Sequence, residues 1–198
     1  MKLKNIAKLC AKTHSIGISE VSGTQWLGNG HAAYPVFNLP PLDEDTAPAV
    51  LDFDEEKAAT LDVRYVDLQS KFDLREDNDD EEALTAVLLR FLYEGETLDA
   101  WQTESGRIVL VDPTYIKPYI ADESSVPVLY LRRGGHGDYI VGKSGMFVTA
   151  VIMPREPDAK EADDLLRKFN RLALAMDEIA GPPPMPVDPD TGEVREFK

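Results

Sequence analysis

Residues 126–154 constrain the fold of this chain more than any other stretch. Val126 to Arg133 is rich in β-branched and aromatic residues, and Gly134-Gly135-His136-Gly137-Asp138 reads as a loop. Asp138-Tyr139-Ile140-Val141 forms a second extended run, and Gly142-Lys143-Ser144-Gly145 has turn chemistry. Met146 to Met153 then gives a third run, which Pro154 ends. Three strands with connections this short predict an antiparallel meander. A meander has an apolar face to bury, so the remaining chain must supply a layer against it.

Leu3 to Thr13 reads as an amphipathic helix. Leu3, Ile6, Leu9 and Cys10 recur at helical spacing, and Lys4, Lys8 and Lys12 recur every four residues on one exposed face. Two readings of that lysine row stay open: ordinary solvated charges, or a short basic stripe for phosphates. Ser15 to Ser19 and Gln25 to Leu27 predict a hairpin across Glu20 to Thr24. Gly28-Asn29-Gly30 predicts a tight turn or bulge, and His31 to Val36 continues extended. Pro35, Pro40, Pro41 and Pro48 argue against regular helix from Tyr34 to Ala49. Asp54 is placed to cap a short helix within Leu51 to Leu61, and Val63 to Leu68 reads as a strand.

Leu84 to Tyr93 fits a helix or a buried strand. The Gly95 turn and the returning run Leu98 to Thr103 favour the strand. Arg107 to Val111 is a further strand. Asp112-Pro113 starts a short helix over Pro113 to Ile120, which Pro118 interrupts. Asp158 to Ala180 predicts a long amphipathic helix, with Asp158 and Glu161 as a capping box and Gly181-Pro182 as its stop. Residues 181–198 read as a flexible proline-rich tail. The expected class is α+β: antiparallel sheets with a few short helices, plus the long C-terminal helix. Residues 1–157 form the expected core, and no internal repeat is legible in it.

Charge is distributed unevenly. The formal net charge is −15, and residues 41–104 hold 20 acidic residues against 5 basic ones, so this stretch alone carries the whole excess. An acidic protein does not coat nucleic acid over its entire surface, but it tolerates a local basic face. Within the acidic stretch, Arg75 to Glu82 has no apolar residue and predicts a solvated loop. Its Asp77-x-Asp79 spacing lacks the glycine and downstream glutamate of a calcium loop.

The residue types that carry chemistry are sparse. His14, His31 and His136 are far apart, and none has metal-ligand spacing to a cysteine or carboxylate. Cys10, the one cysteine, sits on the apolar face of the first helix and reads as a packing residue. Arg132, Arg133 and His136 flank a glycine-rich loop, which is read either as an anion-binding nest or as a hairpin tip with incidental charge. No catalytic residue, metal or cofactor is expected, and the chain is read as no enzyme. No apolar run approaches the roughly 20 residues of a membrane helix, and no signal peptide is read, so a cytoplasmic protein without a membrane partner is expected.

Two stretches resemble the DNA sliding clamp of the polymerase III beta-subunit type. Gly106-Arg107-Ile108-Val109-Leu110-Val111-Asp112-Pro113-Thr114-Tyr115-Ile116 is similar to the clamp element in which a strand runs into an inner helix. Val126 to Tyr130 through Val151-Ile152-Met153-Pro154-Arg155 resembles the closing strands of a clamp domain. The chain as a whole resembles a group of uncharacterised phage and prophage proteins of gut Firmicutes, through its Met1-Lys2-Leu3-Lys4 helix and its Gln25 to Pro35 segment. The clamp resemblance implies two clamp-like halves, about 1–83 and 84–157, and a homo-oligomer that closes a ring. It also implies DNA or a replication protein as partner, with Lys4, Lys8, Lys12 and Lys117 facing nucleic acid. The expected function is a non-enzymatic accessory factor in phage or mobile-element DNA metabolism. The alternative is an acidic adaptor or inhibitor that mimics nucleic-acid charge, acting through Asp77, Asp79, Asp80, Glu81 and Glu82.

Overall fold

The chain opens with helix α1 (Leu3–Thr13), which leads into three strands, β1 (Ser15–Val21), β2 (Thr24–Gly28) and β3 (Ala32–Val36). This is a computed structural model, and it describes residues 3–93, 95–120 and 128–155, together with Arg167 and Arg171, which are helical and exposed. The chain divides into two compact units, Met1–Arg155 and Glu156–Lys198. The expected helix from Asp158 to Ala180 and the tail 181–198 lie outside the described residues, apart from those two arginines.

After β3 come two short helices, α2 (Thr46–Val50) and α3 (Glu55–Ala58), and then β4 (Asp62–Tyr65). The second half contains β5 (Glu82–Tyr93), β6 (Glu96–Thr103) and β7 (Ile108–Val111), a single 3-10 turn (Pro113–Tyr115), and β8 (Val128–Gly134), β9 (Gly137–Ser144) and β10 (Phe147–Ile152). All ten strands join one sheet in the order β4-β1-β2-β3-β10-β9-β8-β5-β6-β7. Among the described residues, only β1 and β4 pair in parallel, so the fold is mixed α+β on a large, mostly antiparallel sheet. The Arg155 N–H donates to the Leu110 carbonyl at 2.8 Å, which brings the chain after β10 back to the edge strand β7. One sheet runs across the expected boundary at residues 83 and 84.

The meander read at residues 126–154 is β8-β9-β10, paired in sequence order. The connection between its first two strands is tighter than expected, because β8 extends to Gly134 and leaves only Gly135 and His136 between the strands. The first half holds a second three-stranded meander, β1-β2-β3. α1 precedes the meander β1-β2-β3, and the 3-10 turn precedes the meander β8-β9-β10. The two meanders meet through their last strands, with Val151 opposite Ala33 and Ile152 opposite Ala32.

Local chemistry explains the tight connections. Ser22 and Gly23 both have positive φ (50° and 78°), which matches the twist of a two-residue hairpin between β1 and β2. Gly28 has a steric role, since a Cβ there would lie 2.0 Å from the Ala32 carbonyl oxygen. The buried Asn29 closes that turn: its Oδ1 accepts from the His31 and Ala32 N–H groups, and its Nδ2 donates to the Leu9 carbonyl.

Two expectations about helices need correction. Regular helix does occur between Tyr34 and Ala49, because α2 contains Pro48. Proline is tolerated there since it occupies the first turn, where an N–H has no intrahelical partner, and Asp43 satisfies the Thr46 N–H at 2.8 Å. The helix expected over Pro113–Ile120 shrinks to one 3-10 turn followed by a looser turn, as Pro118 removes a donor. The strand expected over Val63 to Leu68 stops at Tyr65.

The sheet is covered on both faces. On the first face α1 buries Ile6, Leu9 and Cys10 against Ile16, Ile18, Leu27 and Tyr34. Full burial of a side chain such as Ile6 or Leu9 contributes about 1.5–3 kcal/mol. α2 and the turn after Pro113 extend this layer through Ala47, Leu51 and Ile116. The second face carries a smaller cluster of Trp26, Leu68, Tyr139, Val141 and Val151, covered by the irregular segment 66–76, called the strap below.

Candidate functional site

The first face carries α1 and, with it, three of the predicted lysines. α1 buries one side of its cylinder, so Lys4, Lys8 and Lys12 project from the opposite side. Lys117 comes from a distant part of the chain, yet it lies beside α1, because the Asn5 side-chain amide donates to its carbonyl at 3.3 Å. Lys4, Lys8 and Lys117 are exposed. Lys12 is exposed too, but its ammonium lies 3.2 Å from Asp112, which is almost fully buried.

Asp112 links this face to the interior. It accepts from the Thr114 N–H and hydroxyl at 2.8 and 2.6 Å, capping the 3-10 turn. Burial pushes its carboxyl pKa up, but the Thr114 bonds and Lys12 outweigh that and hold it below the usual range. The same contact raises the pKa of Lys12. Behind the pair, burial raises Tyr115 and Tyr34 and pushes the Cys10 thiol up to about 12. The Tyr34 hydroxyl donates to the Tyr115 carbonyl, and the Cys10 thiol donates to the Gly28 carbonyl at 3.4 Å. Burial keeps the Cys10 thiol protonated at neutral pH, where it packs among the core residues of the first face. His31 stands at the edge of the cluster, its ring 6.0 Å from that of Tyr115, facing a cleft of about 370 Å³ shared with Glu96 and Arg155.

Arg132, Arg133 and His136 do not converge on an anion site. Side chains alternate along β8, so Arg132 enters the second face while Arg133 points to the other side. Arg132 is 0% exposed. Its Nε and Nη2 donate to Glu81 at 2.9 and 2.6 Å, and its Nη1 donates to the Asp73 and Arg75 carbonyls at 2.7 and 2.9 Å. Arg133 is exposed and lies 3.7 Å from Glu82. His136 sits at the exposed hairpin tip.

Arg132 thereby corrects the reading of residues 75–82 as a purely solvated loop. Glu81 accepts from both Arg132 and Lys143, and the Lys143 ammonium also donates to the Glu76 carbonyl and lies 4.7 Å from the Tyr130 ring centre. The Tyr139 hydroxyl accepts from the Asp73 N–H and donates to the Asp73 carbonyl, while its ring packs 5.0 Å from Phe72. The start of the strap is fixed by the Val66 N–H on the Ile18 carbonyl at 2.7 Å. Arg132, with two donors on one Glu81 oxygen, and Lys143 on the other thus hold an otherwise irregular segment on the sheet. Asp77, Asp79 and Asp80 remain exposed. Among the described residues, no group of three or more His, Cys, Asp or Glu side chains is arranged to hold a metal ion.

Beside the strap the second face opens into a groove of about 1140 Å³. Trp26, Phe72, Phe37, Phe147 and Val148 supply apolar wall, and Lys71, Asp73, Arg75 and Glu76 supply charge. Phe37 is 61% and Phe147 67% exposed, and Met146 in the adjoining turn is 70% exposed. A second cavity of about 480 Å³, floored by Gly17, Ser19 and Gly28, opens near the start of the strap.

The groove, Glu81 and Lys143 are absent from the predicted site residues. Arg132 carried one usable signal: it continues a strand in which both alternating sets, Leu129 with Leu131 and Tyr130, are bulky. A charge within such a strand is buried on either face and needs a partner. Its partner is 51 residues away and unrecognisable among so many carboxylates. Among the described residues, no helix is long and apolar enough to cross a membrane, which leaves open what strands do. No family model matches the chain, and no curated protein or solved structure matches it.

Proposed function

We propose that this is a non-enzymatic binding protein whose helical face meets the nucleic-acid backbone, as a sliding-clamp-like accessory factor in phage or mobile-element DNA metabolism. The observation that carries the reading is the contact of the Lys117 backbone with Asn5 of α1, which brings an exposed lysine from the turn after Pro113 next to the helix that bears the exposed Lys4 and Lys8. Two three-stranded meanders, each preceded in the chain by a segment that packs on the first face, α1 and the 3-10 turn after Pro113, support it. On a chain of net charge −15, a surface that presents these lysines away from the sheet is where a phosphate backbone meets least repulsion. In this reading copies of the chain associate to surround the duplex.

Fluorescence anisotropy with a short labelled duplex, titrated with salt, tests the reading. The triple variant Lys4→Glu, Lys8→Glu, Lys117→Glu is expected to reduce the salt slope by about 2–3, near 0.9 for each phosphate no longer neutralised. Absence of duplex binding at low ionic strength, or an unchanged slope in the variant, defeats it. A monomer by light scattering at working concentration removes the ring.

A further inference from the structure

We infer that the groove on the second face is a docking site for a protein segment that is basic and carries an aromatic or large aliphatic anchor. This goes beyond the nucleic-acid reading and uses the opposite face of the sheet. Two observations meet at one end of the groove. The first is apolar: Phe37 and Phe147 are both more than half exposed, and Met146 adjoins Phe147. Exposed apolar side chains grouped along a concave surface mark an interaction site more often than the same residues scattered singly.

The second observation is charge. Segment 66–82 carries 8 acidic residues against 2 basic ones; the part that lines the groove is balanced, Lys71 and Arg75 against Asp73 and Glu76, and the excess lies past Glu76. The strap fixes where that charge lies. Phe147 pairs with Ser144, and the neighbouring Lys143 donates to the Glu76 carbonyl at 2.7 Å. The acidic run that begins at Glu76 therefore starts beside the aromatic end of the groove. Arg132 and Lys143 are occupied by Glu81, which leaves the exposed Asp77, Asp79 and Asp80 to face solvent. A segment with an apolar anchor among Phe37, Phe72 and Phe147 would place flanking lysines or arginines against these carboxylates. Electrostatic complementarity of this kind sets specificity and association rate, while the anchor supplies most of the affinity. A single nucleic-acid strand stacked on the aromatics is disfavoured, because its phosphates would face the same carboxylates.

Probes that separate these sources are a fluorescein-labelled peptide of alternating lysine and phenylalanine or leucine, its lysine-only counterpart, and an oligo-dT strand. Each is titrated against the full chain by anisotropy. The lysine-aromatic peptide is expected to bind more tightly than the lysine-only one. Phe147→Ser is expected to weaken it by about tenfold or more, as loss of a central anchor does. Asp77→Asn with Asp79→Asn and Asp80→Asn is expected to weaken it and flatten its salt dependence. Glu55→Gln with Glu56→Gln, acidic but far along the chain, is expected to change nothing, as is the Lys4, Lys8, Lys117 triple variant. Equal binding of both peptides, insensitivity to Phe147→Ser, or an equal loss in the Glu55 and Glu56 variant overturns the proposal. So does Phe147-dependent binding of oligo-dT. Because the Lys4, Lys8, Lys117 variant acts only on the other face, failure of one reading is distinguishable from failure of the other.

Discussion

The two faces of the sheet are closed by different physics. The first is covered by α1, α2 and the turn after Pro113, and its core residues Ile6, Ile16, Leu27 and Tyr34 are 0% exposed. Repetitive structure satisfies its own backbone, so a helix needs only an apolar stripe to dock. The second face is covered by a strap with no repetitive structure from residue 66 to 76. Such a segment must find external partners for its carbonyls, and it finds them in Arg132, Lys143 and Tyr139. Helical cover gives a sealed surface with charge projected outward. Strapped cover leaves grooves beside the strap, and there the exposed aromatics lie.

The sharpest way to break this comparison is to remove the charge that holds the strap. Arg132→Ala leaves Glu81 with Lys143 alone and strips the Asp73 and Arg75 carbonyls of their donor in a buried site. The expected loss is about 3–5 kcal/mol in urea unfolding. Hydrogen exchange should rise first in residues 66–82 and leave α1 protected. Equal loss of protection in α1 would show that the two faces are one cooperative layer.

A smaller effect is expected on the helical face from Asp112→Asn, which keeps the cap on Thr114 but discards the charge opposite Lys12. A cost of about 1 kcal/mol is expected at neutral pH. The folded pKa of Asp112 is depressed, so its contribution is present above the ordinary carboxylate range and is lost as pH falls through the folded value. The variant should therefore show a shallower decline in stability on acidification below about pH 4. An unchanged acid limb would remove Asp112 from the account.

The smallest expected effect is at Cys10. Its pKa is raised by burial, so the folded state holds the proton more tightly than the unfolded one. That contribution is complete below the unfolded thiol pKa and fades as pH rises toward about 12. At neutral pH a thiol reagent should label Cys10 only at the rate of opening of the first face. Labelling at the rate of a free thiol would mean that the helical face is not sealed.

What is legible in the residues follows from the range of each interaction. The meander of β8, β9 and β10 and the stripe of α1 are set by alternation and by helical spacing, which are local and survive in any context. The Asp54 cap on the Lys57 N–H is similarly local. Pro48 misleads as a helix breaker, because proline excludes helix interiors and not first turns. The lysine row on α1 is visible in the sequence, but its junction with Lys117 depends on contact between Asn5 and a residue 112 positions away.

Local sequence is enough for the strands, the first helix and the concentration of excess acid in one stretch, because each depends on neighbours within a few residues. The rest is settled in three dimensions. Folding joins two meanders through β3 and β10, turns Arg132 inward while Arg133 stays outside, and selects Glu81 from many equivalent carboxylates. A carboxylate becomes a partner by its position in space, and a one-residue step along a strand moves a side chain to the opposite face. Neither fact is written in the local pattern, and both decide which charges of this acidic chain remain to meet a partner.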